Sequence, residues 1–221
     1  LELRKPEVYE MLSDSAVYWI KKYNLDGFRH DATKHIPEIF WQTLTHKLKT
    51  EVAIPEGRKL YQIGETYGSP QLIGTYVNTG QLDAQFDFNV YDATVSAVTG
   101  NSSFANLARV IKSSQKYYGS NHLMGNITGN QDRGRFISYA SGSLRFDEDA
   151  KLAGWTREVG IKDSSAFDKC AVLNAIVATI PGILVIFYGD EIGIPGGNDP
   201  DNRKTMRFND LTEKEQGLKD I

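Results

Sequence analysis

Between Pro6 and Tyr23 apolar side chains return every third or fourth position, as Val8, Met11, Leu12, Ala16, Trp19, Ile20 and Tyr23. That stripe predicts an amphipathic helix with proline in its first turn. Asn24 stands where such a helix stops. A short strand over LDGFRHDA follows, then a second helical stripe over EIFWQTLTHKL. KLYQIGETY reads as a buried strand running into polar residues, and QLDAQFDFNVYD as a weaker one. From Phe104 to Tyr118, Leu107, Ile111 and Tyr118 share one side, and Gly119 supplies a stop. HLMGNITGNQD is strand-like, residues 166 to 180 are helical up to Pro181-Gly182, and GILVIFYGDE is a wholly apolar strand. The longest irregular piece, residues 137 to 165, holds Trp155, and loops of that length inside compact domains are usually functional. Strand and helix alternate about five times without internal repeat or low-complexity linker. This predicts βαβ units and an α/β fold with a parallel sheet covered by helices.

Composition supports one globular domain: of 221 residues 40% are hydrophobic and 24% charged. The formal net charge is -3 and no basic run forms a phosphate-binding face, which argues against a nucleic-acid partner. The longest apolar run, ILVIFY, is too short to span a bilayer. A lone cysteine, Cys170, cannot form an intrachain disulfide and falls in a helical pattern, where it is expected to fill core space. The opening LELRKPEVYE has neither the n-region nor the h-region of a signal peptide. A chain that opens without Met is expected to be a piece of something longer.

Four predicted strands end in acid, at Asp31, Glu65, Asp132 and the pair Asp190-Glu191. In parallel α/β folds the C-terminal strand ends share one face, so these carboxylates are expected to converge. Helix capping alone accounts for an aspartate in such a place. It accounts less well for a glutamate, or for the polar crowd of Arg29, Lys34 and His35 near the first acid and Asn130 and Gln131 near the third. Arg29 and Asp31, two apart on a strand, point the same way, and the guanidinium favours an ionised Asp31. Glu65 follows Gly64, which would let the backbone approach closely whatever the glutamate serves. A glutamate sharing a pocket with ionised aspartates is pushed toward its neutral form. One charged and one neutral carboxyl is the pairing used in retaining glycoside hydrolysis.

These stretches resemble the alpha-amylase family of glycoside hydrolases, its neopullulanase and cyclomaltodextrinase-like members included. GFRHDATKH is similar to the fourth-strand motif, IGETY to the fifth, ITGNQD to the seventh and GILVIFYGDEIG to the eighth. The resemblance implies that Asp31 is the nucleophile, Glu65 the general acid and base, and Asp132 the acid that binds sugar hydroxyls at the transition state. It also implies that Arg29 contacts sugar and nucleophile, that Lys34 and His35 serve the acceptor side, and that Asp199 and Arg203 of GGNDPDNR hold the non-reducing side. Gln131 stands where the family usually has histidine; an amide still bonds a hydroxyl but cannot become cationic.

The resemblance implies a partial (β/α)8 TIM barrel, about strands 4 to 8 with their helices, so that residues 1 to 221 form part of one catalytic domain. The first three strands, the small inserted domain and the C-terminal β-sandwich would lie outside it. Such an open barrel would expose sheet edges and fold marginally alone. The implied partner is an α-glucan oligosaccharide, cut mainly at α-1,4 linkages of starch-like chains or cyclodextrins. The same residues would serve an α-glucan transglycosylase, and a non-catalytic carbohydrate-binding scaffold shares the fold, although such relatives commonly lose one acid and all three stand here. No cofactor or metal site is assigned; calcium is common in the family, with its usual ligands expected outside this stretch. Localisation and oligomeric state stay open.

The bland expectations are these. Trp19 and Trp41 belong to the core, while Trp155 is balanced between packing and sugar stacking. His30 faces the helix layer, His122 has no functional part, and Asp190 and Glu191 are structural or at the rim. DPDNR lacks the glycine and terminal glutamate of a calcium loop. Gly196-Gly197 is a simple turn.

Overall fold

A computed structural model describes residues 2–119 and 121–221. The chain divides into two compact units, Leu1–Phe86 with Ser114–Gly125, and Asp87–Ser113 with Asn126–Ile221.

In the first unit α1 (Pro6–Tyr23) carries proline in its first turn and ends at Asn24, whose backbone is left-handed at φ 51°. The helix and its stop are therefore where the sequence puts them. β1 (Gly27–His30) leads through the 3-10 turn Thr33–His35 into α2 (Glu38–Leu48). A π turn, Lys49–Ala53, and the short α3 (Ile54–Glu56) precede β2 (Tyr61–Gly64), α4 (Pro70–Thr75) and β3 (Ala84–Gln85). The three strands form one parallel sheet in the order β1, β2, β3, with Arg29 opposite Ile63 and His30 opposite Gly64.

The core of this unit joins Val17 and Ile20 of α1 to Trp41, Leu44 and Leu48 of α2. Trp41 is buried as expected. Trp19 is not: it is 47% exposed and stacks on Tyr23, with ring centroids 5.3 Å apart. The buried edge of α1 runs through Ser13, Val17 and Ile20, of which only Ile20 belongs to the expected stripe, so the core face of the helix is offset from it. His30 faces the helices as expected, its ring 4.7 Å from that of Trp41. His122 Nδ1 lies 2.8 Å from the Asp83 carbonyl, a structural tie.

The second unit departs more from the sequence pattern. The stretch expected as a weak strand is β3 for two residues only, at the end of the first unit, and the second opens instead with α5 (Phe88–Val98). Alternating Phe86, Phe88 and Val90 imitate a strand, but the Asp87 carboxylate accepts from the Val90 N–H and caps a helix. α6 (Phe104–Tyr118) follows, stopped at Gly119, and β4 (Gly125–Ile127) is shorter than its motif. The presumed long loop contains α7 (Phe136–Ala140) and α8 (Ala150–Thr156), the latter capped by Asp149. α9 (Ala166–Thr179) packs Ile176 with Ala93, Ala97 and Leu107 of α5 and α6. Cys170 is buried in α9, as the helical pattern implied.

β5 (Ile183–Val185) pairs with β4. It is not the fully buried strand its composition suggests: Leu184, Ile186 and Tyr188 are all exposed. The 3-10 turns Asp190–Ile192 and Asp201–Arg203 then lead to α10 (Glu213–Lys219), which begins with a reciprocal capping box between Thr212 and Glu215. Gly196 and Gly197 are more than a turn. A Cβ on Gly196 would meet the Asp201 carbonyl at 2.7 Å, and one on Gly197 the Ala150 carbonyl at 2.6 Å. Glycine there lets two segments touch backbone to backbone.

Candidate active site

Asp31 and Glu65 each follow the last paired residue of neighbouring parallel strands, so the register of β1 and β2 brings them side by side. Arg29 sits between them. Its Nη1 donates to Asp31 Oδ1 at 2.6 Å and its Nη2 pairs with Glu65 Oε2. The Asp31 side chain is 75% exposed, whereas that of Glu65 is 12% exposed. One acid is open to solvent and the other is sheltered. The arginine was expected beside the aspartate alone; it also contacts the glutamate.

A second layer fixes these strand ends. The Glu65 N–H donates to the His30 carbonyl at 2.9 Å and to Thr33 Oγ1 at 3.1 Å, while the Thr33 N–H donates to the Glu65 carbonyl at 3.0 Å. Trp41 Nε1 in turn donates to the Thr33 carbonyl. The residue linking Asp31 to this clamp, Ala32, is left-handed at φ 48°, a conformation a non-glycine residue rarely adopts without surrounding structure to hold it. Gly64 also serves the same layer. Its absent Cβ would meet Thr33 Oγ1 at 2.6 Å and Leu82 Cδ1 at 2.7 Å.

Lys34 and His35 are exposed in the turn after Asp31, with Lys34 Nζ donating to the Tyr67 carbonyl at 3.0 Å. Behind β1, His30 Nε2 lies 3.1 Å from Gln62 Oε1. Burial, with a smaller push from Arg29, lowers the His30 pKa to about 4 against a countervailing bond to Gln62.

The second unit repeats the motif of an arginine between two acids. Arg203 Nε pairs with Asp199 Oδ1 at 2.6 Å, and its Nη2 lies 3.6 Å from Asp132 Oδ1. The Asp132 N–H donates to Asn130 Oδ1, and Gln131 Nε2 donates to Asp132 Oδ2 at 3.2 Å. Thus Asp31, Glu65 and Arg29 meet within one unit, and Asp132, Gln131, Asp199 and Arg203 within the other. Asp190, expected to be structural or at the rim, has a side chain only 10% exposed. It accepts from Thr128 Oγ1 at 2.7 Å and pairs with Arg135 at 2.9 Å. Burial raises its carboxyl above the ordinary range, and Arg135 opposes that shift. Trp155 ends α8 with 68% of its surface exposed, so it is not a packing residue of this chain.

Sequence reasoning passed over Thr33, Arg135 and Asn202. All three lie inside the quoted motifs or beside them, but nothing in their spacing says what they bond. Among the described residues no group of three or more His, Cys, Asp or Glu is placed to hold a metal, and no helix is long and apolar enough to cross a membrane.

Fold and site together define a parallel α/β protein whose ionisable groups collect at strand C-termini, the arrangement on which barrel enzymes build their active sites. The profile of the alpha-amylase catalytic domain matches residues 1–220, and the chain belongs to the alpha-amylase family. It is 28% identical over 207 residues to an alpha-amylase of Streptomyces lividans, covering 91% of this chain and 21% of that protein. It is 28% identical over 211 residues to a cyclomaltodextrinase of Geobacillus thermopakistaniensis, covering 93% and 30%. The crystal structure of the alpha-amylase from Geobacillus thermoleovorans, complexed with acarbose, matches with a TM-score of 0.77 at 28% identity, over 99% of this chain and 44% of that one. The chain thus corresponds to part of a (β/α)8 barrel and spans less than a third of the two curated relatives named here.

Proposed function

We propose that residues 1 to 221 form the C-terminal part, about strands four to eight, of the catalytic barrel of a retaining glycoside hydrolase acting on α-1,4 linkages of starch-like oligosaccharides or cyclodextrins. Asp31 attacks the anomeric carbon while Glu65 protonates the departing glycosidic oxygen. Glu65 then takes a proton from water, which releases the sugar from Asp31. Asp132 binds sugar hydroxyls, with Gln131 beside it. Asp199 and Arg203 hold the non-reducing side, and Lys34 and His35 the acceptor side.

The observation that carries this reading is Arg29, which touches both Asp31 and Glu65 across two adjacent strand ends. A single guanidinium reaching both acids supports their flanking one glycosidic linkage, as a retaining pair must. The unequal exposure of the two acids supports different roles: the open aspartate is accessible to attack, while the Arg29 ion pair favours the charged form of the sheltered glutamate, the form that takes a proton from water in the second step. Family membership supports the reaction class, and the names of the relatives, alpha-amylase and cyclomaltodextrinase, support the substrate class.

The experiment uses the complete protein with a maltooligosaccharide and follows the first product by NMR. The α-anomer is expected, since two inversions restore the starting configuration. A first product in the β configuration rules the mechanism out. In parallel, Asp31→Asn is expected to remove nearly all turnover while leaving the fold intact.

A further inference from the structure

Asn202 is fully buried in the turn Asp201–Arg203, yet its side chain reaches across to another segment. Its Nδ2 donates to the Gln131 carbonyl at 2.8 Å and to the Arg133 carbonyl at 2.7 Å. Those two carbonyls stand on either side of Asp132. Only the nitrogen end of the amide can serve two acceptors, so this orientation follows from its partners.

The backbone of Asn202 is held as firmly as its side chain holds others. Its carbonyl accepts from Arg135 Nε at 2.9 Å. The Arg135 side chain is 1% exposed, and its Nη1 also donates to the Tyr188 carbonyl at 2.7 Å and to Asp190 Oδ1 at 2.9 Å. The Arg135 N–H donates to the Gly196 carbonyl at 3.0 Å. The next residue, Arg203, is the one that pairs with Asp132 and Asp199. From this geometry we infer that Asn202 is a positioning residue, which sets Asp132 and Arg203 against each other so that both meet the bound sugar in one fixed arrangement.

The inference rests on the proposed sugar-binding roles of Asp132 and Arg203. A side chain that merely filled space would need no donors; here both Nδ2 hydrogens find acceptors, although Oδ1 is buried without a partner among the described residues. Both donors end on carbonyls of the two residues that flank one acid in the chain. Arg203 is itself half exposed and could not keep its orientation by packing.

The test compares kcat and KM on maltoheptaose for the complete protein, Asn202→Ala, Arg203→Ala and the double variant, with circular dichroism as the check on folding. Asn202→Ala is expected to lower kcat/KM by roughly ten- to a hundred-fold, the scale of an ångström of misplacement at an active site. The loss should appear as a raised KM, because a merely unfolded fraction lowers apparent kcat and leaves KM unchanged. In the Arg203→Ala background the same change should cost less than in the wild type, because the share of its effect carried by Arg203 is already lost while the share carried by Asp132 remains. Asn202→Leu roughly keeps the volume, has no donors and no charge, and should behave like the alanine variant. Folded Asn202 variants with wild-type KM, or losses that multiply fully with Arg203→Ala, would overturn the inference. So would failure of both variants to fold, which marks a purely structural residue. If Arg203→Ala alone leaves kcat/KM unchanged, its sugar-binding role falls first and the inference falls with it, a result distinct from the others.

Discussion

His30 gives the account a test that depends on pH. The ring sits on β1 between Arg29 and Asp31, turned toward Trp41 and bonded to Gln62. Burial lowers its pKa from 6.5 to about 4, with Arg29 adding to the shift and Gln62 opposing it. The folded chain therefore refuses a proton that the unfolded chain accepts. The stabilisation is fully present above pH ~6.5, where unfolded histidine is also neutral, and is lost as pH falls through ~6.5 toward ~4. Two and a half pH decades at about 1.36 kcal/mol each give an upper figure of about 3 kcal/mol, reduced to the extent that water reaches the partly exposed ring. The perturbation is His30→Gln, which keeps a polar partner for Gln62 but cannot titrate. Urea unfolding of the complete protein and the variant, measured from pH 7 to pH 4, isolates the effect, because carboxylate titration is common to both. The wild type should lose up to about 3 kcal/mol more than the variant across that window. Parallel stability curves would show that His30 is not buried neutral, and would refute its packing against Trp41.

Three further outcomes follow from the same structure. Gly64→Ala, whose Cβ would meet three side chains at less than 3.0 Å, should destabilise by about 1–3 kcal/mol and lower kcat by displacing Glu65; thermal melting and kinetics measure both. Arg29→Lys keeps the charge but cannot fork to two carboxylates, and kcat is expected to fall about a hundred-fold in a steady-state assay, against no change if the arginine is only structural. The chain expressed by itself leaves Leu184, Ile186 and Tyr188 of the β5 region exposed, and should self-associate by size-exclusion chromatography; a sharp, reversible monomeric melt would contradict that.

The elements that sequence patterning read well are those whose two signals agree. In α1 the 3.6-residue stripe ends where Asn24 turns left-handed, and in β1 and β2 the apolar run ends at the acid. α5 failed because alternation over Phe86, Phe88 and Val90 outweighed the cap at Asp87, although both were visible. The capping signature at Thr212 and Glu215 was also available and would have found α10. Trp19 failed for a different reason, since periodicity marks a stripe but not which part of it the neighbouring helix covers. Asp31 and Glu65 were legible as strand ends, whereas Asp132 lies five residues past the end of β4. Their supports were not: Asn202 bonds residues about seventy positions away, and local spacing carries no trace of that.

The central claim is that Asp31 forms a bond to the sugar while Glu65 manages the proton. Incubating the complete protein with a fluorinated glucosyl fluoride, whose electron-poor ring slows breakdown of a glycosyl-enzyme, and digesting it for mass spectrometry locates that bond. The account predicts a glycosyl adduct on the peptide containing Asp31, accumulating further in Glu65→Gln. An adduct on another residue, or full turnover by Asp31→Ala, would contradict it.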